Sequence, residues 1–147
     1  MKQENQIQVR LVSVSEVKFM LNSDEALLTK SQPNGPDIGF AYAVSANMEQ
    51  STVTLHFGVQ YAVAGTPMLE SRYEFTFEVN RIKEVVKIGK DKIEVKELMP
   101  HFISVAIGTM RGIIVAKTAG TSLAQYPLPM LDPQSVLNDI MADAPEE

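Results

Sequence analysis

None of the 147 residues is cysteine, which excludes disulfides and thiolate metal sites and agrees with a reducing compartment. Histidine is almost as scarce. His56 and His101 are the only two, and neither has a metal-ligating neighbour at a useful spacing. Zinc needs at least three convergent N, O or S ligands, so both read as surface or hydrogen-bonding residues. Basic residues are also in short supply. Thirteen Lys and Arg stand against 18 Asp and Glu, a net charge of -5, which suits neither nucleic-acid phosphates nor anionic membrane surfaces. The polar start Met1-Lys2-Gln3-Glu4-Asn5-Gln6 has no apolar segment behind it, so no signal peptide is read. The longest apolar stretch, Phe102 to Ala116, is broken by Ser104, Gly108, Thr109, Arg111 and Gly112. It falls short of the roughly 20 residues a membrane span needs, and a cytoplasmic chain without membrane insertion is expected.

Signatures of chemistry are missing as well. Gly108 and Gly112 lie inside a helical pattern, without the strand-loop-helix setting that aims backbone N–H groups at phosphate. Ser104 and Ser122 occupy no nucleophile-elbow or SxxK context, and Glu74 with Glu78 read as the solvated face of a strand. The sequence therefore predicts no enzyme, no cofactor and no metal.

What is present is ordinary globular material, with 45% hydrophobic and 21% charged residues, in a chain of one-domain length. Ile7, Val9 and Leu11 alternate on one face before Val12 and Val14 take over the other, and Val17, Phe19 and Leu21 restore the first phase. This is a first strand with apolar side chains on both faces and a bulge near Ser13 to Glu16. Residues 22–37 read as a surface loop, dense in turn formers at Ser31-Gln32-Pro33-Asn34-Gly35-Pro36. Strict alternation follows. Ile38, Phe40, Tyr42, Val44, Ala46 and Met48 oppose the small Gly39, Ala41, Ala43, Ser45 and Asn47. Val53 to Val63 and Leu69 to Val79 continue the pattern, giving an antiparallel three-strand meander.

Residues 81–94 are left open. From about Val95 onward, apolar residues recur at helical spacing, with Pro100 in the first turn and an end near Thr118 to Gly120. Leu98, Met99, Phe102, Val105, Ala106, Met110 and Ile113 share one face. Ile103, Ile107 and Ile114 occupy a second, and a single sheet is not expected to cover both. Ile103, Ile107 and Ile114, with Val12 and Val14 of the first strand, are therefore read as an oligomer interface. Beyond the helix, prolines hold Tyr126-Pro127-Leu128-Pro129-Met130-Leu131 extended. Asp132-Pro133 opens a short helix bearing Val136, Leu137, Ile140 and Met141, and residues 143–147 read as a disordered acidic tail. The fold class is α+β, one domain over residues 1–147. Tyr126, Leu128, Met130, Leu137 and Met141, with Tyr42 as a floor, form an adaptable contact surface for polypeptides, because methionine repacks around varied partners.

The order strand, long loop, meander, long helix, Gly-Thr loop, apolar-proline segment and short helix resembles the SecB protein-export chaperones. Ile7-Gln8-Val9-Arg10-Leu11 with Glu16-Val17-Lys18-Phe19 looks like the family's first strand, and Phe75-Thr76-Phe77-Glu78-Val79 like its fourth. Met99-Pro100-His101-Phe102 is similar to the opening of its long helix, Gly120-Thr121 to its Gly-Thr exit, and Leu128-Pro129-Met130 to its Leu-x-Pro-Val loop. The resemblance implies a homotetramer, a dimer of dimers paired through first strands, that holds unfolded clients in apolar grooves without ATP. It also implies docking of the SecA motor on acidic sheet positions matched by Glu16 and Glu78, although Met20 replaces a third acidic position and Thr76 a leucine. A SecB-like chaperone dedicated to a toxin–antitoxin system or another client, and a structural or assembly subunit, remain the alternatives.

Overall fold

The computed structural model describes residues 7–22, 24–31, 34–89, 93–95 and 97–137. Four strands, β1 (Val9–Leu21), β2 (Asp37–Asn47), β3 (Thr52–Val63) and β4 (Thr66–Val79), form an antiparallel sheet in the order β1-β4-β3-β2. This is the α+β arrangement expected from the alternation, with the meander β2-β3-β4 and the first strand added beside β4. The β3-β4 hairpin turns on Ala64 and Gly65, both at positive φ (50° and 83°), the backbone that two-residue turns between twisted strands require.

One long helix, α3 (Met99–Thr118), lies on one face of the sheet. Its buried residues are Phe102, Ile103, Ala106, Ile107, Met110, Ile114 and Thr118. They merge the two faces read from the sequence into one broad stripe with the three- and four-residue steps of a sheet-facing helix. Beneath it, Val53, Leu55, Phe57, Val59 and Tyr61 of β3 and Leu69, Tyr73, Phe75, Phe77 and Val79 of β4 are buried. Phe77 and Phe102 stack with centroids 4.3 Å apart, joining sheet to helix. The isoleucine reading is thereby corrected: Ile103, Ile107 and Ile114 are at most 3% exposed within the single chain and have no surface to offer a second subunit. The expectation that one sheet cannot cover both faces failed because residues one position apart on a helix both reach a broad, twisted sheet.

The remaining elements are small. The stretch read as a loop contains a one-and-a-half-turn helix, α1 (Glu25–Lys30), opened by Asp24, whose carboxylate accepts from the N–H groups of Ala26 and Leu27 at 3.0 and 3.4 Å. Leu28 buries its side chain there. The open region resolves into a four-residue helix α2 (Ile82–Val85) and a hairpin of β5 (Val86–Ile88) with β6 (Ile93–Val95). After α3, Gly120 at φ 83° and a 3₁₀ turn (Ser122–Gln125) lead to the proline segment. A helical turn at 133–137 follows, with Asp132 Oδ2 accepting from the Ser135 N–H at 3.3 Å. Ile140, Met141 and the acidic tail lie outside the described residues.

Candidate functional site

Cover over the sheet decreases toward its edges. β3 and β4 bury every inward side chain, β2 holds Ile38, Phe40, Tyr42, Val44 and Ala46 half-buried, and β1 leaves Val9, Leu11, Val12, Val14 and Val17 between 40 and 57% exposed. Register explains β1. Val9, Leu11, Val14 and Phe19 pair with Val79, Phe77, Phe75 and Ser71, so they face the helix side. The register slips between Leu11 and Ser13 and again between Glu16 and Lys18, making Val12 and Val17 the extra residues of two bulges that flank the stretch where one was expected. Each bulge reverses the alternation once, which is how valines come to lie on both faces.

Helix α3 does not extend over this edge. Its outer side shows Val105 and Val115, 39 and 53% exposed, beside Gly108 and Gly112, where an added Cβ would meet nothing within 4 Å. Between β1 and the start of α3 runs an apolar groove of about 390 Å³ lined by Val9, Leu11, Phe77, Leu98, His101 and Val105. Near the other end of α3, Lys117 ties the helix to β1, donating to Glu16 and lying 4.5 Å over the Phe19 ring. Glu16 also accepts from the Tyr73 hydroxyl at 2.7 Å. Hydrogen bonding from Lys117, and then from Tyr73, lowers the Glu16 pKa. The same bond to Glu16 raises that of Lys117, and burial raises that of Tyr73.

At 20 residues, α3 is long and apolar enough to cross a membrane by length and composition, which corrects the length argument made from the sequence. Its mid-length Arg111 is held in the fold, donating through Nε to the Leu128 carbonyl at 3.0 Å and through Nη2 to that of Pro129 at 2.9 Å. The same clamp corrects the contact-surface reading. Leu128 and Leu137 are 2 and 6% exposed and belong to the core. Tyr126 is half-buried, its carbonyl accepting from the Tyr61 hydroxyl at 2.7 Å, and its ring leans on Gly35, where a Cβ would come within 2.8 Å. Met130 alone of the loop set is freely presented, at 88% exposure. Tyr42 is half-buried beside Phe57, and Met141 lies outside the described residues. The apolar-proline segment is apolar because it closes the core.

Glu16 and Glu78, matched to a motor-docking face, point to opposite sides. Glu16 pairs with the buried Tyr73, whereas Glu78 faces outward and bridges Arg10 at 3.2 Å. On that free face Glu70 pairs with Lys18 at 3.2 Å and with Arg72 at 2.8 Å, and His56 Nδ1 lies 3.4 Å from Glu74. Ser45 lies 3.4 Å from the other nitrogen of His56, a juxtaposition that strand pairing creates from residues far apart in sequence. No group of three or more His, Cys, Asp or Glu able to hold a metal occurs among the described residues.

No family model and no curated protein matches the chain. Among solved structures it is similar to the Mycobacterium tuberculosis Rv1957 SecB-like chaperone, determined with a ChAD peptide from the Rv1956 HigA1 antitoxin, at TM-score 0.45 and 11% identity over 88% of this chain and 91% of that one. It is also similar to a Streptococcus agalactiae protein of unknown function, at TM-score 0.41 and 7% identity over 86% and 98%. At these scores neither likeness adds to what the sheet order and the exposed surface show by themselves.

Proposed function

We propose that this chain is an ATP-independent chaperone that holds unfolded polypeptides and assembles as a homotetramer, a dimer of dimers. The observation that carries the reading is the exposed apolar surface of Val9, Leu11 and Val14 on the helix side of β1, with Val12 at its bulge and Val105 and Val115 on the outer side of α3. Each such side chain left in water forgoes up to about 1.5–3 kcal/mol of burial, and so many exposed apolar residues along one edge call for a polypeptide cover. Subunit pairing through β1 covers its valines and satisfies the row of backbone groups that an edge strand exposes. The interface is then Val12, Val14, Val105 and Val115, with Gly108 and Gly112 allowing close backbone approach. Clients occupy the remaining apolar surface, Met130 and the half-covered β2 edge around Tyr42 included.

A client-dedicated role, such as service to a toxin–antitoxin system, is favoured over SecA docking. Glu16 is engaged by Lys117 and Tyr73 on the helix side, and the outward Glu70 and Glu78 already have cationic partners. Aggregation of a chemically unfolded reporter protein, followed by light scattering with and without ATP, tests the reading. Suppression at near-stoichiometric chain concentration, unchanged by ATP, is expected. Undiminished aggregation at a several-fold excess rejects the chaperone role and leaves an assembly subunit.

A further inference from the structure

We propose that Ser45, His56 and Glu74 form a nucleophile–base–carboxylate relay on the free face of the sheet, able to accept an acyl group from a small activated ester onto Ser45. The three residues come from three adjacent strands, β2, β3 and β4. His56 and Glu74 are directly paired, and Ser45 is the diagonal neighbour of His56. The Nδ1 of His56 lies 3.4 Å from Glu74 Oε1, and its Nε2 lies 3.4 Å from Ser45 Oγ. Glu74 offers an acceptor beside Nδ1, and the neutral tautomer that carries its proton there turns the Nε2 lone pair toward the serine hydroxyl. That is the tautomer a general base needs. Contacts of this length are common before a substrate tightens them.

Space is available as well. Ala41, Ala43 and Gly58 leave room beside His56, and with Arg72 and Glu74 they line an open cavity of about 360 Å³ that reaches His56 on the side away from Ser45. The step is an addition and elimination. Ser45 Oγ bonds to the ester carbonyl carbon as His56 Nε2 takes the hydroxyl proton. The tetrahedral centre then breaks its bond to the alkoxide, which leaves with that proton as the alcohol, and acyl-Ser45 remains.

Magnitude limits the substrate class. A positioned base contributes about 10²–10⁴ in rate, but Ser45 sits mid-strand, where backbone N–H groups lie in the sheet plane and provide no oxyanion hole. One oxyanion donor is worth about 10²–10³, so esters with good leaving groups react and peptide bonds do not. Bound polypeptide would survive this chemistry, which is independent of client holding.

The experiment uses the full chain with p-nitrophenyl acetate, following nitrophenolate release and locating the acetyl group by peptide mass spectrometry. One acetyl per chain on Ser45 is expected, at about 10²-fold the rate of Ser45→Ala, with Glu74→Gln slowing acylation about tenfold or more by releasing the tautomer. Ser45 and Glu74 are solvent-accessible, so both variants should keep the wild-type circular dichroism. Acetyl groups on lysines only, or equal rates for wild type and Ser45→Ala, overturn the proposal. So does a serine that acylates equally well with Glu74→Gln, since its reactivity then owes nothing to the relay.

Discussion

β4 and β1 lie side by side with matching alternation, yet Leu69, Phe75, Phe77 and Val79 of β4 are at most 2% exposed while Val9, Leu11 and Val14 of β1 are 40% exposed. The difference does not lie in the strands. It lies in where α3 rests, over β3 and β4, stacked on Phe77 through Phe102. Alternation in a sequence states which side chains share a face; a second element decides which of them are covered. The centre of this sheet therefore stores the stability of the fold, and its β1 edge keeps apolar side chains in solvent, the surface on which the proposed assembly rests.

The largest effects should come from breaking the centre. Phe77→Ala or Phe102→Ala removes one ring of the stack and should cost about 3–5 kcal/mol in chemical denaturation. Ile107→Asp should be at least as damaging, because it leaves an unpaired charge between helix and sheet. It should unfold the protomer and not merely divide an assembly. A folded, dissociated Ile107→Asp would show that α3 sits elsewhere.

The edge should respond the opposite way. Val12→Asp combined with Val14→Asp places two charges where protomer packing is thin, so protomer stability should move by no more than about 0.5 kcal/mol per site. Mass by light scattering should show the proposed tetramer in the wild type and smaller species in the double variant. An unchanged tetramer would remove β1 from the interface.

How much of this was legible beforehand differs along the same line. Strand alternation, the turn at Ala64-Gly65, the helix from Met99 and its end at Thr118 are local patterns, and residues 38–79 and 99–118 state them openly. Cover is not local. Ile103 and Ile107 looked unhoused because period counting assigns faces without knowing the width of the sheet below, and Leu128 looked like a contact because nothing nearby announces the Arg111 clamp 17 residues away. Helix α1 was missed because its one strong signal, Asp24 as N-cap, precedes only six residues. Ser45, His56 and Glu74 could be assembled only after the meander register was known, although the small-residue column Gly39, Ala41, Ala43 and Ser45 did mark a face of β2 with room above it.

Two titrations sharpen the contrast with smaller effects. At the centre, burial raises the Tyr61 phenol from 10.0 to about 12. Its neutral form is thus favoured by the fold, a contribution fully present below the unfolded value of 10.0 and lost as pH rises toward about 12. Spectrophotometric titration should show one tyrosine ionising late, and Tyr61→Phe should flatten the alkaline fall in stability. Matching alkaline curves would place the Tyr61 hydroxyl in water.

At the edge, the smallest effect belongs to Glu16 and Lys117, which tie β1 to the end of α3. Donation by Lys117 and Tyr73 lowers the Glu16 pKa. The carboxylate therefore adds stability above its unfolded value, and that contribution disappears as pH falls through the lowered folded value. Lys117 is raised by the same bond, so its contribution holds below the unfolded lysine value and is lost as pH rises through the raised one. Both side chains are well exposed, and solvent screening keeps the sum small. Denaturant midpoints measured across pH should show the wild type losing slightly more than Glu16→Gln on the acid side, with the gap narrowing as salt is added. Lys117→Met should remove the alkaline loss while leaving β4 and its core untouched, because Phe77, Phe102 and Met110 hold α3 without it. If Lys117→Met instead lowers stability as much as Phe102→Ala, β1 depends on this single tie to α3, and the division between a stable centre and a free edge fails.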